Sequence, residues 1–234
     1  MRTPIVDFVK KYTNEKGSRF HMPGHKGQAF LGCEGFDITE IAGADALYEA
    51  EGIIAESEQN AAELFGTAGT FFSTEGSSQC IRAMLKLVIG YDAEKRYEIS
   101  ERNQDGCIEK EKERPYIIAA RNVHKAFLYA AALIDFDVVW LYPKEMHSLC
   151  SCKISAEQVE AELKKQILER GTAPAAVYVT SPDYLGGQLD IAVLAEVCHR
   201  YNTIFAVDNA HGAYLHFLEE KQHPIDLGAD ICCD

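Results

Sequence analysis

The residues best placed to do chemistry stand at the ends of short apolar runs. Thr203-Ile204-Phe205-Ala206-Val207-Asp208-Asn209-Ala210-His211-Gly212 is β-branched and aromatic up to one acid, then turns through small residues to a histidine. Such a run reads as a buried parallel strand. Open α/β sheets bind their ligands beyond the carboxyl ends of these strands. A carboxylate at that point serves either as a ligand contact or as a turn-forming cap.

Other turns pose the same choice. After Thr70-Phe71-Phe72-Ser73, read as a strand, comes Thr74-Glu75-Gly76-Ser77-Ser78 and a helix from about Gln79 to Ile89. The free N–H groups and dipole at that helix start can hold a phosphate dianion. Plain N-capping by Ser77 or Ser78 is the alternative. His124, in Arg121-Asn122-Val123-His124-Lys125, also stands at a strand-to-helix turn, where polar capping is the default role. Ser181 opens Ser181-Pro182-Asp183-Tyr184-Leu185-Gly186-Gly187, in which the proline fixes a sharp exit and the glycines permit a tight turn. His21 and His25 have the spacing of a metal pair on a helix. Pro23 and Gly24 between them oppose a helix, so no metal site is expected there.

These turns need a scaffold, and the sequence supplies alternating strands and helices. Residues 1–16 read as a short helix with Ile5, Phe8, Val9 and Tyr12 on one face. Phe36 to Leu47 reads as loop. Gly52 to Phe65 is a helix with Ile53, Ile54, Ala61, Ala62, Leu64 and Phe65 as core positions, ended by Gly66. Asp92 to Pro115 is dense in charge and reads as a solvated loop insertion. Tyr116–Ala120, Asp137–Leu141, Ala175–Thr180 and the segment from Asp230 read as further strands. Helices follow the Arg121–Lys125 turn through Leu133, span Ser155 to Arg170, and run from Ile191 to Tyr201. Ser155 and Gln158 form a capping box. The alternation predicts a mainly parallel α/β sheet with helices on both faces. Two divisions are expected: residues 1–50, a helix and loop segment, and residues 51–234, the sheet domain.

Taken together, His21-Met22-Pro23-Gly24-His25-Lys26-Gly27, Arg121-Asn122-Val123-His124-Lys125 and the Asp208 strand resemble the Orn/Lys/Arg decarboxylase family of fold-type-I pyridoxal-phosphate (PLP) enzymes. The resemblance runs from the N-terminus to Asp234, apart from the charged insertion. It implies the large domain of the aspartate aminotransferase fold, PLP as cofactor, and decarboxylation of arginine, lysine or ornithine. By the same resemblance Gly76, Ser77 and Ser78 bind the PLP phosphate, and His124 stacks on the ring. Ser181 lies near the cofactor, and Ala210 is the small residue under the ring. Asp208 pairs with the ring nitrogen, and His211 orients Asp208 by a hydrogen bond. The His21–Gly27 loop is implied to lie near the active-site entrance, and the active sites at a homodimer interface.

The family's Schiff-base lysine belongs to a Ser-x-His-Lys turn after the strand begun at Asp230. The only lysine after Asp208 is Lys221, in a polar loop, and it reads as a surface residue. The expectation is therefore an incomplete large domain, inactive by itself and prone to associate. An aminotransferase or lyase of the same fold type and a non-catalytic fragment are the alternatives.

Composition narrows the partners. The 234 residues allow one large domain or two small ones. A net charge of −13 opposes nucleic acid and anionic membranes as partners. No apolar run reaches the roughly 18 residues of a membrane span, and Met1-Arg2-Thr3-Pro4 has no signal-peptide core, so a cytoplasmic protein is expected. None of the eight cysteines forms a C-x-x-C pair, which favours reduced thiols over disulfides or zinc.

Overall fold

The computed structural model describes residues 2–15, 17–102, 114–145 and 147–234. The chain divides into two compact units, Met1–Phe72 and Ser73–Asp234.

The first unit is built on two helices. Helix α1, Pro4–Asn14, has Pro4 at its first turn, where a missing N–H costs nothing. Its Ile5, Phe8, Val9 and Tyr12 are half-buried, and the helix packs on α2, Ile53–Phe65. That packing makes α2 part of the first unit, which therefore extends past the residue-50 division expected from sequence. Gly66 ends α2 in the left-handed conformation at φ 66°. Of the core positions expected in α2, only Ala62 is buried, and Leu64 faces outward.

Two carboxylates organise the loops of this unit. Asp45 accepts hydrogen bonds from the N–H groups of Ala46, Glu51, Gly52 and Ile54, and so caps the start of α2 from seven residues away. Glu34 accepts from Phe30, Leu31 and Gly32. The Leu31 N–H is the main reason that the Glu34 carboxyl is pulled down to about 2. A carboxyl whose pKa is depressed by folding stabilises the fold above its ordinary value and loses that contribution as pH falls through the folded value. Amide protection of Phe30–Gly32 should therefore decline from about pH 4.5 towards pH 2. In Glu34→Gln it should be weaker at neutral pH and flat over that window, as hydrogen exchange would read. Equal protection in the two proteins would refute the assignment.

The second unit is an all-parallel five-stranded sheet. Its strands are β1 Tyr116–Ala120, β2 Asp137–Leu141, β3 Ala176–Thr180, β4 Ile204–Asp208 and β5 Ile231–Cys233, in the spatial order β2-β1-β3-β4-β5. β1 and β3 are buried along their whole length, as a sheet covered on both faces requires. On one face Ile118, Val177, Val179, Phe205 and Val207 pack with Val159 and Leu163 of α5, Ala156–Arg170, and with Leu194 and Val197 of α6, Ile191–Arg200. On the other, Ile117, Ala119, Tyr178 and Ala206 pack with Ile81 and Leu85 of α3, Ser77–Arg102, and with Phe127 and Ala130 of α4, Lys125–Ile134. The Ser155–Gln158 capping box forms as expected.

Two expectations are corrected. Thr70–Ser73 is not a strand: it pairs with no described strand, and Phe71 and Phe72 are exposed. Its backbone bonds a side chain instead of a ladder: the Phe72 N–H donates to Glu58 Oε1 at 2.9 Å. The charged segment begun at Asp92 is not loop at its start, because α3 continues to Arg102. Arg96 pairs with Asp92 one turn back and reaches the Ala173 carbonyl, which ties this extension to the loop before β3. The rest of the expected insertion, residues 103–113, lies outside the described residues. No described helix is long and apolar enough to cross a membrane.

Candidate active site

The carboxyl ends of β3 and β4 open into a cleft of about 120 Å³. Ser77, Ile81, His124, Thr180, Tyr184, Asp208, Ala210 and His211 line it. Parallel pairing sets Thr180 beside Asp208, so both side chains reach the same end of the sheet.

Asp208 is the floor of the cleft and is only 3% exposed. Oδ1 accepts the Ala210 N–H at 3.3 Å. Oδ2 receives the Tyr178 hydroxyl at 3.3 Å and the Thr180 hydroxyl at 3.5 Å. Burial pushes the carboxyl up, while the Ala210 N–H, the Tyr178 hydroxyl and the nearby His124 and His211 pull it back. Among the described residues no lysine or arginine pairs with it. The expected hydrogen bond from His211 is also absent there. Instead the His211 ring packs on Tyr184, with centroids 5.1 Å apart, and acts on Asp208 through space. Two hydroxyls of β3 hold the carboxylate: that of Thr180, the neighbour of Ser181 and the other candidate for the hydroxyl near the cofactor, and that of Tyr178, which the sequence did not single out.

His124 fills the role of N-cap to α4, its Nδ1 accepting the Ala126 N–H at 3.2 Å. That bond fixes the ring in the wall of the cleft, so the capping and ligand-facing roles are compatible. Ser77, the first residue of α3, also lines the cleft. Helix geometry leaves the N–H groups of Ser77 and Ser78 without intrahelical partners. Gly76 turns the chain into the helix at φ 64°. Gly76 and Ser78 flank the cleft without lining it.

Ser181 is placed differently from Thr180. Its hydroxyl accepts the Leu189 N–H at 3.1 Å and its own N–H binds the Asp208 carbonyl, so it braces the turn from behind. Of the sequence-derived site residues, the structure thus gathers Ser77, His124, Asp208, Ala210 and His211 in one cleft. It adds Thr180 and Tyr184. Tyr184 stood in the Ser181–Gly187 motif and was legible as part of it. Lys221 lies in an exposed loop, bound to Asp226 at 3.1 Å, and among the described residues no lysine lines the cleft.

In the first unit the imidazoles of the His21–Gly27 loop have separate partners. His21 bonds the Tyr12 hydroxyl at 2.6 Å, and His25 pairs with Asp37 at 3.1 Å.

The parallel sheet, its two helical layers and an acid at the end of a central strand define the large domain of the PLP-dependent transferase fold. The chain belongs to the Orn/Lys/Arg decarboxylase family: residues 3–104 and 107–233 match its major domain. An arginine decarboxylase of Halalkalibacterium halodurans is 30% identical over 243 residues, covering 98% of this chain and 44% of that protein. An arginine decarboxylase of Bacillus subtilis is 28% identical over 240 residues, with the same two coverages. The chain thus spans less than half the length of these relatives. The fold is shared with the constitutive lysine decarboxylase of E. coli at a TM-score of 0.67 and 18% identity, over 96% of this chain and 30% of that one.

Proposed function

We propose that this chain is part of a PLP-dependent decarboxylase acting on a basic amino acid, with arginine favoured over lysine and ornithine by the names of its relatives. The observation that carries the reading is the buried Asp208 carboxylate, which faces the cleft with hydroxyl and N–H partners and, among the described residues, no lysine or arginine. A desolvated carboxylate of this kind is complementary to a protonated ring nitrogen. The helix start at Ser77 suits the phosphate at the other end of the same ligand, and the fixed His124 ring offers a flat face between them. These residues fit PLP.

Bound there, the cofactor would supply an electron sink for the pair left behind as carbon dioxide departs. Asp208 would hold the proton on the ring nitrogen, which requires the carboxylate to stay ionised. His124 would fix the ring plane. Ala210 leaves room close to Asp208 where a larger side chain would stand. Gly76, Ser77 and Ser78 would anchor the phosphate. Ser181 would act indirectly, by bracing the turn that carries Thr180.

The whole protein would act as a homodimer or larger homo-oligomer. Phe20, Phe30 and Tyr48 of the first unit are 94%, 91% and 88% exposed, an apolar cost that a second subunit would remove. The free thiols described at seven cysteines suit a reducing cytoplasm.

The test is an assay of the full-length PLP-loaded enzyme that contains this chain, on arginine, lysine and ornithine, for carbon dioxide and amine. Release of both from one of them is expected. Transamination without carbon dioxide would overturn the assignment.

A further inference from the structure

The hydroxyl of Tyr178 reaches Asp208 from within the buried layer, and Tyr178 is not among the residues that line the cleft. We propose that Tyr178 is a positioning residue that keeps Asp208 ionised and aimed into the cleft. The proposal rests on the PLP reading for its purpose, but not for its geometry.

Tyr178 sits in the middle of β3 and is fully buried. Its ring packs on Phe127 at 4.6 Å between centroids, within the layer formed by Ile81, Ala206 and Cys233. A phenol in such surroundings must find an acceptor, because an unpaired buried hydroxyl is costly. Asp208 Oδ2 is the acceptor it finds. Phenylalanine would fill the same apolar space without the hydroxyl, so packing alone does not account for a tyrosine here.

The chemistry of the pair runs in one direction. Burial and the neighbouring Asp208 push the Tyr178 phenol well above its ordinary value, so it remains a donor at any working pH. A permanent donor favours the ionised form of its acceptor. The 3.3 Å separation is long for a hydroxyl–carboxylate bond, and such contacts shorten when the site is filled. Thr180 adds a second hydroxyl on the same oxygen at 3.5 Å. The other titratable groups facing Asp208 are His124 from the α4 cap, His211 from the turn after β4, and Cys233 from β5. The histidines support the carboxylate from the cleft side. Cys233, itself pushed up by burial, stays a neutral thiol. Tyr178 is thus the donor to Asp208 that solvent cannot reach.

The experiment follows the Asp208 carboxyl carbon by NMR in cofactor-free protein labelled at aspartate, with Asp208→Asn assigning the signal. In Tyr178→Phe the Asp208 titration should move upward from wild type, and in Thr180→Val it should move less. PLP affinity of Tyr178→Phe should fall about tenfold, the effect of losing one charge-assisted hydrogen bond. An unchanged Asp208 titration in a Tyr178→Phe protein with a wild-type melting profile would overturn the proposal. If Tyr178→Phe melts early, the titration is read at a temperature where the variant stays folded: an upward shift supports the proposal, and none refutes it. Failure of wild-type protein to bind PLP would instead overturn the cofactor reading, and the titration would still judge Tyr178.

Discussion

In the full-length enzyme Asp208→Asn should lower decarboxylase turnover about a thousandfold, or about 4 kcal/mol of transition-state stabilisation. The substitution preserves the shape of the side chain and an oxygen to accept the Ala210 N–H. It removes the charge that would hold a proton on the ring nitrogen. Without cofactor, its effect on stability should have the opposite sign. The folded protein raises the Asp208 pKa above its ordinary 3.8, chiefly by burial. A carboxyl raised in this way destabilises the fold once pH exceeds the folded value, and the penalty disappears below 3.8, where folded and unfolded chains both carry the proton. Asp208→Asn should therefore melt later than wild type near pH 8 and together with it near pH 3. A group that costs stability while serving the site is the usual signature of function. Near-normal turnover with no gain in stability would mean that Asp208 is only a turn cap.

The contrast between Asp208 and Tyr178 shows what a sequence can express. Asp208 was legible because an acid ends a run of otherwise apolar residues, and a polar exception within a pattern is visible. Tyr178 was not, since an aromatic inside a buried strand matches the pattern and its hydroxyl acquires meaning only from the parallel register of β3 and β4. The Ser155–Gln158 capping box was legible because both partners lie within one turn. Asp45, which caps α2 from outside the helix, breaks that locality. The Thr70–Ser73 run has strand composition, but composition does not supply a neighbour to pair with. Charge density misled at the start of the 92–115 segment, because i,i+4 pairs such as Asp92–Arg96 support an exposed helix as readily as charge solvates a loop. His211 lines the same cleft as Asp208, but its ring packs on Tyr184 and does not bond the carboxylate. That detail depends on ring orientation, which Tyr184 sets.

The turn after Asp208 yields the other large expected effect. Gly212 has φ −132°, a conformation open to any residue, so backbone strain does not explain the glycine. Space does. A Cβ there would lie 2.2 Å from Asn209 Oδ1 and 2.7 Å from Pro182 Cδ. Neither atom can yield cheaply. Asn209 is fully buried and its amide is tied to Asp234, while Pro182 is a ring within the Ser181–Gly187 turn. The Gly212 N–H also closes the turn onto the Asn209 carbonyl at 2.7 Å. Gly212→Ala should then cost about 2–3 kcal/mol of stability, the scale of an overpacked core. It should also shift Ala210 and His211 relative to Asp208 and lower turnover about a hundredfold, as a displacement near 1 Å does in a preorganised site. Gly17→Ala is the control, because nothing lies within 4 Å of its Cβ position and its φ is not in the left-handed region. Thermal unfolding and steady-state assays of the two variants provide the comparison. Should Gly212→Ala melt and turn over like Gly17→Ala, the turn has slack, and the tight packing of Asn209 against Gly212 does not hold the cleft in shape.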